Sequence, residues 1–422
     1  MMSLTDLIRE TRFLAKQGYV VGFLLVVFAL TSFAIVSGVN EIREQQETLV
    51  RLQAKDATER EHILAEQHDY GSAAYYSFHL TYSEPQPLAF AAMGQRDVTS
   101  WKHRIRMLAL EGQIYETDAQ NPELSLAGFF DFAFIVSILL PLFVILLLHD
   151  LRAGEREAGR YDLLLVSAKR QGSLWAARAL ILCTGLALAL LVPFGLGAWT
   201  MAVPITQALA VMAIVLVHLA FWAWLTLLIG KTLTQKGQRS ARIASALLGI
   251  WLASTVVVPV VSDSVINHTI TGPSGGDIVL LQREEVNGAW DKPFSDTWAS
   301  FLTTHPEWAQ ATDMQSLFEW KWYYAFQQVG DQKAAPLSQA YRQTLRERDA
   351  AAGYAAWLSP STLTQRWMTS LANTDVKASM RYEQRVRDFH QSLRQFYYPL
   401  LFGDAPFSHD ELEAMPVFSD EG

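Results

Sequence analysis

The chain has 422 residues, half of them hydrophobic and 18% charged, with a formal net charge of −8 and one cysteine. A globular protein spreads its apolar residues at periods of 2 or 3.6, whereas here they collect into long uncharged blocks, the pattern of a polytopic membrane protein. The negative balance excludes nucleic acid as the main partner, because phosphate binding needs a basic surface. The lone Cys183 excludes an intrachain disulfide and reads as a small packing residue in an apolar run.

In chain order, residues 1–17 form the first element. Leu4, Leu7, Ile8, Thr11 and Leu14 share one helical face, with Asp6, Arg9, Arg12 and Lys16 elsewhere, and Ser3 and Asp6 have capping-box spacing. This predicts an amphipathic helix lying at the interface of an anionic lipid leaflet. Residues 18–38 are uncharged and long enough to cross a hydrocarbon core. A cleaved leader would have a shorter apolar run behind a short basic start, so an uncleaved anchor is expected.

The segment 39–126 opens with a charged helical stretch from Asn40 to His68. Ile42, Leu49 and Ile63 fall at heptad-like spacing, interrupted by Asp56. One helix from Gly18 to His68 would be about 75 Å long and project as a stalk, although a coiled coil needs a cleaner seam. Residues 84–126, with Pro85, Pro87, Gly94, Asn121 and Pro122, read as a loop-rich lid. A second span at 127–148 carries only Asp131 near one end. Spans at 179–200 and 204–230 form a hairpin around Thr200–Pro204, and a fifth at 243–262 is closed by Pro259 and Asp263. The remainder, 263–422, contains no uncharged run long enough to cross again. Its aromatics, among them Trp290, Trp298, Trp308, Trp320, Trp322, Tyr323, Tyr324 and Phe326, fit either a compact core or an apolar gate or partner surface, and helical patterning starts at about 337.

Basic residues of the short loops set the orientation. Arg9, Arg12 and Lys16 precede the first span. The loop 149–178 carries Arg152, Arg156, Arg160, Lys169, Arg170 and Arg178, and the loop 231–242 carries Lys231, Lys236, Arg239 and Arg242. All three fall on one side, so the N-terminus is expected in the cytoplasm. The regions 39–126 and 263–422, and with them the C-terminus, are then expected outside, as two mainly helical periplasmic domains. The fold class is an all-α polytopic membrane protein with about five transmembrane helices.

The loop 149–178 is longer than a connector needs. It alternates charge through Glu155, Arg156 and Glu157, breaks at Gly159, passes Arg160 and Asp162, then runs apolar from Leu163 to Val166 before Ser167. That pattern implies a docking element. The stretch Glu155-Arg156-Glu157, Gly159, Leu163-Leu164-Leu165 and Ser167 resembles the signature of ABC-2-type permeases, in which such a motif follows the second span as the coupling helix. The N-terminal amphipathic helix resembles that family's connector helix. The stretches FDFAFIVSILLPLFVILLLHDLRAGERE (130–157) and LSPSTLTQRWMTSLANTDVKASMRYEQRVRDFHQSLRQFYYPLLF (358–402) are similar to a subgroup of these permeases that carries a domain of unknown function, with large insertions after spans one and five. The resemblance covers essentially the whole chain. It departs in one respect: the wider family has six spans, and none follows residue 262 here.

The resemblance implies the permease subunit of a bacterial inner-membrane ABC transporter, an exporter working by alternating access. A separate ABC ATPase subunit would hold ATP and Mg and dock on Glu155, Arg156, Glu157, Gly159, Arg160 and Asp162. A second permease copy or a homologue would complete the pathway in the lipid bilayer. The chain itself has no G-x-x-x-x-G-K-[ST], no H-E-x-x-H and no compact His/Cys/Asp set, so no catalytic, cofactor or metal site is expected. His218 lies inside span four, where polar groups are costly. It reads either as a pathway residue or as a buried hydrogen-bonded one. The rival to export is a non-transporting relay, in which ATP hydrolysis inside drives the outer domains against a periplasmic or outer-membrane partner.

Overall fold

The computed structural model describes residues 4–115, 130–167, 171–311, 316 and 318–420. Helix α1 (Leu4–Ala15) turns at Lys16 and Gln17 into α2, a single helix from Gly18 to Glu66. Forty-nine residues at 1.5 Å each make α2 about 73 Å long. Next come α3 (Tyr70–Tyr76), strand β1 (His79–Tyr82), strand β2 (Lys102–Ile105) and α4 (Leu110–Tyr115). The two strands pair antiparallel, with His79 opposite Ile105 and Tyr82 opposite Lys102.

Helix α5 has three continuous pieces: Phe132–Phe134, a π turn Ile135–Leu139, and Leu140–Leu148. Short helices α6 (Ala153–Glu157) and α7 (Tyr161–Ser167) lead to α8 (Gln171–Thr200) and α9 (Ile205–Gln235). Helix α10 again has three pieces: Ser240–Leu252, a π turn Ala253–Val257, and Val258–Thr269. Then follow α11 (Gly275–Gly288), α12 (Phe294–Leu302), α13 (Trp320–Ala355), α14 (Pro360–Leu371), α15 (Val376–Phe402) and α16 (His409–Glu413).

Five of these helices are long and apolar enough to cross a membrane: α2, α5, α8, α9 and α10. Their outward faces are apolar, with Leu25, Phe33, Leu188, Trp199, Val217 and Val260 exposed. That is the inverse of a water-soluble surface. The chain is a mainly helical, membrane-associated protein.

Proline explains the two π turns. Pro141 and Pro259 each stand two residues after one, and a proline ring clashes with the carbonyl four residues back, here Ser137 and Thr255. Widening the preceding turn relieves the clash without ending the helix. Pro259 therefore does not close the fifth span, as the sequence suggests. The helix runs on to Thr269.

The polar segments on either side of the spans share one core. Leu49 of α2, Tyr70 of α3, Ile105 of β2, Tyr324 of α13 and Val386 and Tyr397 of α15 are all buried in it. The segments 39–126 and 263–420, expected as two domains, meet through their described residues in this common core, the polar lobe. The far half of α2 is part of that core, with Asp56 Oδ1 accepting the Leu80 N–H at 3.0 Å, and is not a free stalk. Helices begin at Gly275, well before 337. The aromatics around Trp320 hide this in the sequence because Tyr324 and Phe326 are fully buried, which leaves no amphipathic contrast.

The expected lid is a wedge as far as it is described, since 116–126 lie outside the described residues. Leu88–Met93 are buried between α2 and α8, where the Phe90 carbonyl would stand 2.1 Å from a Cβ at Gly38. Only glycine admits that approach.

Candidate functional site

The charged motif after α5 sits at the end of the bundle where α1, α8, α9 and α10 meet. Gly159 adopts φ +70°, ends α6 and reverses the chain into α7, with the Arg160 N–H donating to the Glu155 carbonyl at 2.9 Å. Glu155 thereby points into the bundle. Its Oε1 accepts from Arg178 Nη1 at 2.8 Å and its Oε2 from Arg160 Nε at 2.8 Å. Arg178 Nε reaches Glu10 Oε2 of α1, also at 2.8 Å. Phe13 and Trp175 flank the guanidinium, with ring centroids at 4.9 and 5.6 Å. The result is a buried acid–base–acid triad joining α1, α6 and α8.

The neighbouring charges are equally committed. Arg156 Nη1 donates to the Thr234 carbonyl near the end of α9. Glu157 Oε1 accepts the Ser240 N–H at the start of α10 at 2.6 Å, supplying a cap at a helix start that needs one. Arg160 and Asp162 lie on the exposed side, and α7 leaves Leu163 71% and Val166 87% exposed. Of the six residues expected here, four therefore shape the clamp (Glu155, Arg156, Glu157 and Gly159), Arg160 braces Glu155 from its rim, and Asp162 stands on the free surface. Sequence reasoning missed Glu10 and gave Arg178 no partner. The available signals were Glu10 four residues before the apolar Leu14 in α1 and one arginine within an otherwise uncharged apolar helix, where a charge requires a counter-ion.

Helix α1 is described at its side chains from residue 7 on. Glu10 and Leu14 are the buried positions, whereas Ile8 and Phe13 are exposed.

The second place of interest is mid-bundle. Helix α14 comes from the polar lobe yet seats among the spans, where Met368 and Ala372 join the apolar core of the bundle. Three polar pairs hold it. Thr364 Oγ1 lies 2.9 Å from His218 Nδ1 of α9, Gln365 Oε1 accepts from Ser137 Oγ of α5 at 3.0 Å, and Ser361 Oγ lies 2.9 Å from Thr255 Oγ1 of α10. Ser137 and Thr255 belong to the two π turns, and Trp251 Nε1 donates to the π-turn carbonyl of Ile138 at 3.2 Å. His218 is thus a buried, hydrogen-bonded residue. Its partner lies 146 positions away, so no local pattern could reveal it.

A cleft of about 660 Å³ opens beside α14, reaching from Asp97 and Arg366 at the lobe to Ser137 and Thr255 in the bundle. Asp131, expected alone near a surface, is buried. It caps α5 through the Phe134 N–H at 2.7 Å and also accepts the Met93 N–H at 2.9 Å. Among the described residues, no three His, Cys, Asp or Glu side chains gather in a metal-binding arrangement.

Residues 278–420 match a family model described as a domain of unknown function (DUF3526). The match runs from within α11 past α16, takes in α14, and includes none of the five apolar helices. No curated protein and no solved structure matches the chain.

Proposed function

We propose that this protein is the membrane subunit of an ATP-driven transporter of the ABC-2 type. It would sit in a bacterial inner membrane with its N-terminus and α6–α7 loop in the cytoplasm and the polar lobe outside. A separate ATPase chain, carrying ATP and Mg, docks on α7, and a second permease copy completes the assembly. Export is the favoured direction.

One observation carries the reading. Helix α6 is tied by side chains to α8, α9 and α10, and through Arg178 to α1, while the adjoining α7 holds Leu163 and Val166 out from the same end. A partner gripping α7 would move four helices through one short element. Coupling of this kind requires contacts that differ between two states, and α6 gives a partner a short link to four helices whose contacts could change together.

A second observation favours the relay reading of the same assembly. Helix α2 runs unbroken from the bundle into the lobe core, and α14 pins the lobe to three spans. Movement in the bundle would then reach the lobe directly, whether or not a molecule crosses.

The test is purification of the tagged protein from its native membrane beside the double variant Leu163→Glu/Val166→Glu. The parent is expected to bring down a chain that hydrolyses ATP, and the variant to lose it while remaining folded. A parent complex without an ATP-binding chain would overturn the proposal. Spin labels on α7 and α13 then separate the two modes, since relay requires the lobe to move during turnover in the absence of cargo.

A further inference from the structure

Between Asp349, near the end of α13, and Arg366 in α14, residues 350–365 carry no charge. The run is shorter than the stretch of about 20 residues that crosses a bilayer, and it does not lie straight. Helix α13 ends at Ala355, one 3₁₀ turn (Ala356–Leu358) follows, and α14 begins at Pro360, so the run folds back on itself. Its two charged ends close on each other, with Arg366 Nη2 2.8 Å from Asp349 Oδ1.

The elbow of this hairpin is set deep alongside the fifth span. Arg348 Nε donates to the Ile270 carbonyl just past the end of α10 at 3.0 Å, whereas Ser361 Oγ meets Thr255 Oγ1 in the π turn of that helix. Thr255 lies about 21 Å inward of Thr269 along α10. The hairpin therefore descends and returns beside a segment of α10 that holds Val256, Val257, Val260 and Val261 exposed. At the elbow itself Tyr354 is 81%, Trp357 70% and Leu358 69% exposed. Facing water, three such neighbours would be an anomaly. Irregular backbone at membrane depth must find its hydrogen bonds within the protein, and this turn does so. The Ser359 N–H donates to the Ala356 carbonyl at 3.0 Å, Ser359 Oγ accepts the Thr362 N–H at 3.2 Å, and the Leu363 N–H reaches the Ser359 carbonyl at 2.9 Å. Pro360 has no N–H to satisfy.

We propose that the α13–α14 hairpin is a membrane-inserted element: its elbow dips into the leaflet on the lobe's side of the membrane, and lipid, not water, covers Tyr354, Trp357 and Leu358. The exposed face of the elbow continues the apolar face of α10, and its tryptophan and tyrosine are the side chains that favour the boundary between head groups and hydrocarbon. The Asp349–Arg366 pair closes the neck of the hairpin where charge returns to the chain. The lobe is then held by the bilayer as well as by the bundle. The region 278–420, which contains none of the five spans, has a membrane contact of its own. The inference rests on the spans alone and is independent of any ATPase partner.

The test is spin labelling of the full chain in lipid nanodiscs, with Cys183→Ala as background and a nitroxide placed at Trp357→Cys or, separately, at Leu358→Cys. Collision with dissolved oxygen, which concentrates in hydrocarbon, is compared with collision with a water-soluble nickel chelate. Leu188→Cys on α8 and Tyr76→Cys on α3 of the lobe, both at exposed positions, are the references for lipid and for water. Both elbow labels are expected to give an oxygen-to-nickel ratio near that of Leu188→Cys and several-fold above that of Tyr76→Cys. A ratio like that of Tyr76→Cys at either position overturns the insertion. Shielding from both probes also overturns it, because protein, such as a second copy of this chain, would then cover the elbow in place of lipid.

Discussion

Replacing Arg178 with methionine removes the one cation between Glu10 and Glu155, whose side chains are about as buried as its own. Glu10 would keep only the exposed Arg9 and Glu155 only the exposed Arg160, and breaking a buried ion pair from one side costs up to about 3–5 kcal/mol. Unfolding entropy of about 2.1 cal/mol/K per residue, over 422 residues, converts that to a fall in melting temperature of about 3–6 °C. The triple variant Glu10→Gln/Arg178→Met/Glu155→Gln removes all the charge and should recover most of the loss, because uncharged replacements of a buried pair are often near neutral. Thermal unfolding of the four proteins in one detergent measures both effects: parent, Arg178→Met, the Glu10→Gln/Glu155→Gln pair and the triple. If Arg178→Met melts with the parent, or the triple variant melts below Arg178→Met, the triad is not a clamp.

Other expectations are independent of that one. Gly159→Ala forces a Cβ into left-handed backbone, costing about 1–2 kcal/mol, and should expose the α6–α7 turn to limited proteolysis more than it lowers the melting temperature. Thr364→Val takes the partner from His218 Nδ1 and should cost about 1–3 kcal/mol, read by thermal unfolding, with Thr364→Ser restoring most of it. In the polar lobe, burial first and then the charge of a neighbouring arginine hold His79 at a pKa of about 3 and His103 at about 4, and depress His390 well below its ordinary value. All three are kept neutral by the fold, so their contribution is complete above about pH 6.5 and is lost as pH falls toward 4 and below. Denaturant titrations between pH 7.5 and 4.5 should show the lobe losing stability with acid, and equal stability across that range would refute it.

The spans were legible because a bilayer imposes a length on them, and 18–38 or 179–200 can be read without any tertiary knowledge. The long α2 was legible for a related reason, since nothing between Gly18 and Glu66 breaks a helix. Helix α14 was not. Its Ser361, Thr364 and Gln365 look like solvent-facing polar residues, and only their partners at Thr255, His218 and Ser137 show that they face the spans. The β1–β2 pairing failed for the same reason, being four residues a side in a segment dominated by turns. In the charged loop, composition marked Glu155 to Asp162 as special but suggested a surface held out to a partner. Glu155 turns inward to Arg178, and Arg156 and Glu157, though exposed, are engaged with the adjoining ends of α9 and α10. Hydrophobic pattern reports which residues avoid water, whereas counter-ion identity depends on where distant helices end.

The two π turns alter how the faces of their helices should be counted. Each inserts one surplus residue into an otherwise regular spiral, so everything beyond it is rotated by about 100° relative to the count from the other end. In α5 and α10 the residues that meet lipid before the turn and those that meet lipid after it obey different registers. Deleting a single residue within Ile135–Leu139 or Ala253–Val257 would bring the two registers into phase. It would also swing Ser137 or Thr255 away from α14. For these two helices the angular bookkeeping, more than the apolar composition, fixes which side of the bundle can receive a helix from the lobe.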